Sequence, residues 1–106
     1  MPTSSTPLKP TALVIDDELQ LRRLLRVCLE TNGYRVIEAA SGQEGISQAA
    51  QHPPDVVVLD LGLPDMEGVT VLKRLREWSR VPVVVLSAVW VSPRRLQEFR
   101  PLAYLP

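Results

Sequence analysis

The sequence predicts an α/β domain built on a doubly wound parallel sheet. Three observations carry that prediction. Short apolar runs alternate along the chain with stretches whose apolar residues recur at helical spacing. The runs at residues 12–15, 56–59 and 81–86 are almost wholly apolar, as strands covered on both faces are. The resulting order, βαβαβαβ, requires right-handed crossovers that lay helices against the sheet.

Length and charge bound the function. A chain of 106 residues holds one domain. Lys plus Arg and Asp plus Glu number 12 each, and a net charge of zero argues against broad binding to nucleic acid or to anionic membrane. The longest near-apolar run, residues 81–91, falls short of the roughly 20 residues a bilayer span needs. The amino terminus lacks the basic and apolar regions of a signal peptide. Cys28 is the single cysteine, which excludes an internal disulfide framework and fits a reducing cytoplasm.

Residues 1–10, with Pro2, Pro7 and Pro10, read as a disordered lead-in, and the domain is expected over residues 11–106. The first strand is Ala12-Leu-Val-Ile15. Leu21, Leu24, Leu25, Cys28 and Leu29 then fall on one helical face, with Arg22, Arg23, Arg26 and Glu30 on the rest of the surface. Gly33 suits the left-handed position that ends the helix. Residues 34–39 form the second strand. Ser41 and Glu44 make a capping box ahead of a weak stripe of Ile46, Ala49 and Ala50, and His52-Pro-Pro54 ends that helix. Asp55-Val-Val-Val-Leu59 is the third strand and runs into Asp60. After a loop with Gly62, Pro64, Asp65 and Gly68, the residues Val71, Leu72, Leu75 and Trp78 make a third helical face. Residues 81–86 form the fourth strand. Beyond Ala88 the pattern changes: Pro93 opens a short helix that Pro101 ends, and Leu102-Ala-Tyr-Leu105 forms a clipped fifth strand.

Chemistry is expected at the carboxyl ends of the strands, where ligands collect in open parallel sheets. Asp16 and Asp17 follow the first strand and Asp60 follows the third. If the chain reverses direction after the second strand, the first and third strands are neighbours and the three carboxylates converge. Such a cluster resists full ionisation unless a cation joins it. Mg²⁺ takes hard oxygen ligands and keeps exchangeable waters, so two or three carboxylates and a backbone carbonyl suit it. The plainer alternative makes Asp16 or Asp17 a helix cap, with Glu18 favourable near the positive helix end. Asp60, directly after Val-Val-Val-Leu, is harder to account for as a cap. Ser87 ends the fourth strand with a hydroxyl able to donate to a phosphate oxygen, and the small Ala88 leaves room beside it. His52 reads as a solvated loop residue, Cys28 as packing on the first helix, and Arg22, Arg23 and Arg26 as a solvated helix face.

Three motifs resemble the receiver domain of two-component response regulators: Leu13-Val-Ile-Asp-Asp-Glu18, Val56-Val-Val-Leu-Asp-Leu-Gly-Leu-Pro-Asp-Met-Glu-Gly68 and Val81-Pro-Val-Val-Val-Leu-Ser-Ala88. The segment from Asp60 to Gly68 and Leu75-Arg-Glu-Trp-Ser79 look most like the Kdp-type, OmpR-class branch, which regulates potassium transport genes. The resemblance implies a flavodoxin- or CheY-like fold with strand order 2-1-3-4-(5). It implies that Asp60 is the phosphoacceptor, taking a phosphoryl group from a sensor histidine kinase, and that the chain is not a turnover enzyme. Asp16, Asp17, Asp60 and the backbone carbonyl of Gly62 would hold Mg²⁺. Ser87 would contact the phosphate, with Ala88 and Tyr104 as switch positions.

The chain also departs from the family. Its only lysines are Lys9 and Lys73, neither at the position of the family's fifth-strand lysine. The fifth strand is expected to be incomplete and the last helix and DNA-binding domain missing, which would weaken any homodimer, slow phosphorylation and uncover apolar surface. The alternative is a pseudo-receiver or inactive fragment acting only as a protein-interaction module. A haloacid-dehalogenase-like phosphatase would want an Asp where Gly62 stands. A flavodoxin would want a Ser/Thr/Gly-rich phosphate loop after the first strand.

Overall fold

Short runs rich in apolar residues pair into a sheet and the helical stripes cover it. A computed structural model describes residues 8–86 and 103–105. The elements follow in the order β1 (Thr11–Ile15), α1 (Leu19–Thr31), β2 (Arg35–Ala39), α2 (Gly42–Gln51), β3 (Val56–Asp60), α3 (Gly68–Arg76), β4 (Val83–Leu86) and β5 (Ala103–Leu105). The sheet order is β2-β1-β3-β4-β5. The first four strands are parallel, with Leu13 level with Ile37 on one side and with Val57 on the other. At the amino-terminal edge, β1 and β3 are clamped twice: the Thr11 N–H donates to Asp55 Oδ2 and the Asp55 N–H to the Thr11 carbonyl, both at 2.7 Å.

The two faces of the sheet are unequally covered. Leu13, Ile15, Val57, Leu59, Val83 and Val85 point to one side and pack with Ala49 of α2 and Val71 and Leu75 of α3. Val14, Val36, Val58 and Leu86 point to the other, against Leu25 and Leu29 of α1. This alternation is the period of two that a pleated strand imposes. No residue of α1 is fully buried, whereas α2 and α3 each bury three.

Local signals hold at most boundaries. Gly33 has φ of 90°, the left-handed conformation that ends α1. Ser41 caps α2 by accepting from the Glu44 N–H, and the Glu44 carboxylate accepts from the Ala40 N–H, one residue ahead of the cap. Glu18, rather than either aspartate, is the side chain that caps α1, accepting from the Gln20 N–H at 2.9 Å.

Three expectations change. The inner face of α1 is rotated from the one its leucines suggest. Leu24, Val27 and Cys28 are exposed, while Arg22 and Arg26 turn inward because Glu38 of β2 lies beneath them. Trp78 lies beyond the end of α3 and is half exposed, not part of its buried stripe. Finally, β5 is antiparallel to β4, with Tyr104 level with Val84, whereas a continuation of the βα repeat makes it parallel. An edge strand needs only one row of hydrogen bonds, and antiparallel rows are slightly more stable per residue. Ser87, Ala88 and the short helix expected after Pro93 lie outside the described residues, as do residues 1–7 of the lead-in.

Candidate functional site

Register brings the acidic residues together. Ile15 of β1 is level with Leu59 of β3, so the residues that follow them, Asp16 and Asp60, stand side by side at the carboxyl edge. Asp60 is the last residue of β3 and pairs with Leu86 of β4. Asp17 stands one residue further on. Asp16, Asp17 and Asp60 each offer a carboxylate oxygen within 4.8 Å of the others. Asp16 and Asp60 are buried, 1% and 5% exposed, and Asp17 is open to solvent.

The backbone fixes this cup. The Asp16 N–H donates to the Ala39 carbonyl at 3.0 Å, and the Asp16 carbonyl accepts from Arg22 Nη1 at 2.8 Å. Asp16 Oδ1 accepts from the Glu18 N–H at 2.8 Å. Asp60 Oδ1 accepts from the Gly62 N–H at 3.1 Å, which ties the start of the β3–α3 loop to the carboxylate. Across the loop, Gly68 packs so closely that a Cβ there would lie 2.7 Å from Leu61 Cα and 2.8 Å from the Asp60 carbonyl oxygen.

Electrostatically the cup is under load. Burial pushes the Asp16 carboxyl up to about 6, and the charges of Asp60, Asp17 and Glu18 add to the rise, while the Glu18 N–H opposes it. Burial likewise raises Asp60, and the Asp17 charge adds to it against the Gly62 N–H. Asp16 Oδ2 is buried with no hydrogen-bond partner. A buried carboxylate oxygen without a donor is costly, and a cation satisfies it. An all-oxygen donor set with one orphaned atom fits a hard divalent ion such as Mg²⁺.

Other predicted residues are placed as follows. Gly62 is in the loop after β3 and contributes its N–H to Asp60. Tyr104 is in β5, level with Val84, which is itself level with Val58, two positions back from Asp60. His52 is exposed at the end of α2.

Two contributors escape sequence reasoning. Asp65 reaches back to α2 and accepts from the Gly42 and Gln43 N–H groups at 2.8 and 2.9 Å, fastening the loop beside the cup. These hydrogen bonds lower its carboxyl below the usual range. No local pattern links residues so far apart in the chain. Arg22 is the other, and its signal is ambiguous: an arginine on a helix reads as solvated until the strand beneath it is known to present Glu38.

This chain belongs to the response regulator receiver domain family, which it matches over residues 12–99. It is 55% identical over 85 residues to the transcriptional regulatory protein KdpE of Mycobacterium tuberculosis (strain ATCC 25618 / H37Rv), covering 80% of this chain and 38% of that protein. It is 51% identical over 76 residues to the KDP operon transcriptional regulatory protein KdpE of Escherichia coli (strain K12), covering 72% of this chain and 34% of that one. The chain thus spans little more than a third of the length of these relatives. Among solved structures, it resembles the chemotaxis response regulator CheY4 of Vibrio cholerae, with a TM-score of 0.74, 30% identity, and coverage of 86% of this chain and 78% of that one. It also resembles the response regulator TrrA of Thermotoga maritima in complex with Mg²⁺-BeF, with a TM-score of 0.72, 29% identity, and coverage of 76% and 71%.

Proposed function

We propose that Asp60 is the phosphoacceptor of a two-component response regulator and that it takes its phosphoryl group from a sensor histidine kinase. The observation that carries the reading is the convergence of the Asp16, Asp17 and Asp60 carboxylates at one edge of the sheet, with Asp60 at the very end of β3. An Asp60 oxygen attacks phosphorus in line, the P–N bond to the kinase histidine breaks with its electron pair going to nitrogen, and an acyl phosphate forms on Asp60. Such a transfer needs placement and charge neutralisation more than covalent assistance.

Asp16, Asp17, Asp60 and the carbonyl of Gly62 are the ligands for Mg²⁺ in this reading. When bound, the cation offsets the charge of the carboxylates and of the incoming phosphoryl oxygens. Lys9 precedes β1 at the opposite edge and Lys73 is exposed on α3, so neither of these lysines supplies that charge. Ser87 donates to the phosphoryl group, Ala88 leaves space for it, and Tyr104 responds to it. The likeness to a regulator solved with Mg²⁺-BeF supports the same site use. Similarity to the two KdpE proteins supports a role in transcription regulation, with this chain as the receiver. The intact carboxylate cluster argues against a purely passive interaction module.

The test is the intact mass of the chain after acetyl phosphate and Mg²⁺. The expected result is a gain of one phosphoryl group that Asp60→Asn abolishes and that chelation of Mg²⁺ prevents. No gain, or a gain that persists in Asp60→Asn, overturns the reading.

A further inference from the structure

The first helix carries a polar bridge that ends on the backbone of the acidic cup. Glu38 of β2 is level with Val14 of β1 and shares a face with Val36, directly beneath α1. Its two oxygens are taken separately: Oε1 accepts from Arg22 Nε at 2.9 Å and Oε2 from Arg26 Nε. Arg26 extends to the Val36 carbonyl and to Glu30. Arg22 turns the other arm of its fork to the Asp16 carbonyl, at 2.8 Å. The Arg22 side chain is only 13% exposed.

From this geometry we infer that Arg22, locked by Glu38, is a positioning residue that holds Asp16 and Asp17 in their cation-binding arrangement. The inference rests on the metal reading given above. The carbonyl that Arg22 grips belongs to the peptide joining Asp16 to Asp17. Because that peptide is planar, one bond to it restrains ψ of Asp16 and φ of Asp17 together. The preceding peptide is already held through the Asp16 N–H on Ala39. Two like charges on adjacent residues, facing a third on Asp60, relax by rotating apart if the peptide between them is free. Arg22 blocks that rotation. The planar fork reaches Glu38 and Asp16 at once, which a lysine ammonium on its single stem does not reproduce with the same geometry. Arg26 serves as the internal control, since it shares Glu38 but makes no contact with Asp16.

The experiment compares the unsubstituted chain with Arg22→Met and Arg26→Met. Mg²⁺ binding is followed by calorimetry, and folding by urea unfolding in EDTA. Both variants are expected to lose stability, but Arg22→Met binds Mg²⁺ about tenfold more weakly while Arg26→Met stays within about twofold of the unsubstituted chain. In metal-free protein, hydrogen exchange of the Glu18 amide, which bonds Asp16 Oδ1, rises in Arg22→Met and not in Arg26→Met. Should Arg22→Met fail to fold, Arg22→Lys against Arg26→Lys reads the same contrast. Equal Mg²⁺ affinity in the Arg22 variant and the unsubstituted chain, or equal losses in the two variants, overturns the positioning role and leaves the metal site standing. An unsubstituted chain that binds no Mg²⁺ overturns both.

Discussion

Replacing Asp16 by Asn removes a charge that the fold tolerates poorly without a cation. Burial lifts the Asp16 carboxyl from its ordinary 3.8 to about 6. The folded state therefore favours the protonated acid. The associated stability is fully present below pH 3.8 and is lost as pH rises through about 6. A tenfold change in an ionisation equilibrium is worth about 1.4 kcal/mol, so the ionised carboxylate costs the metal-free chain about 3 kcal/mol at pH 7. Asn cannot ionise, and its side-chain oxygen still accepts from the Glu18 N–H. Exchanging a charged acceptor for a neutral one returns about 1 kcal/mol of that gain. Asp16→Asn should therefore stabilise the metal-free chain by about 2 kcal/mol at pH 7, or about 10 °C in Tm for a domain of this size. Urea unfolding followed by circular dichroism in EDTA, from pH 4 to pH 8, measures it. The gain should shrink towards zero at pH 4 and narrow at pH 7 in Mg²⁺, which should stabilise the unsubstituted chain more than the variant that has lost one of the carboxylates. A variant no more stable than the unsubstituted chain at pH 7 in EDTA, or a gain independent of pH, refutes the reasoning.

Mg²⁺ affinity should be flat above pH 7 and fall towards tenfold per pH unit once pH drops below about 6, because Asp16 must lose its proton to ligate; calorimetry across that range checks it. Gly68→Ala should destabilise the chain by about 2 kcal/mol in urea unfolding, since its Cβ would meet the backbone of Leu61 and Asp60 rather than a yielding side chain. Asp65→Asn should lower the urea midpoint at pH 7, because it gives up one of two bonds to the start of α2. Its carboxyl is depressed, so its contribution is present above the ordinary carboxylate pKa and is lost as pH falls through the lower folded value; the difference should therefore vanish in strong acid.

The sheet was legible because β3 and β4 are nearly pure β-branched runs and β1 is an apolar run after Thr11, and such runs leave little choice of conformation. The acidic cup was legible because a strand end fixes where the next side chain goes: Asp16 and Asp60 needed only the adjacency of β1 and β3. The rotation of α1 was not legible. Leu24 and Leu25 are equally apolar, and which of them turns inward depends on Glu38, a residue of another element. Arg22, Arg26 and Asp65 were hidden for the same reason, since a charged side chain reveals its use only when its distant acceptor or donor is known. The direction of β5 was equally concealed, because three residues carry no vectorial pattern and the hydrogen bonds of an edge can run either way.

The paired bonds between Thr11 and Asp55 give the sheet an orientation in its mechanics as well as in its chemistry. Its amino edge is pinned like the hinge of a clothes peg, while its opposite rim carries three anionic groups that push outward. Thermal breathing of β1 against β3 should therefore open from the jaw and not from the hinge. The amides of residues 16–18 should exchange before those of residues 11–13, so the rim that carries the carboxylates should yield before the edge that is pinned.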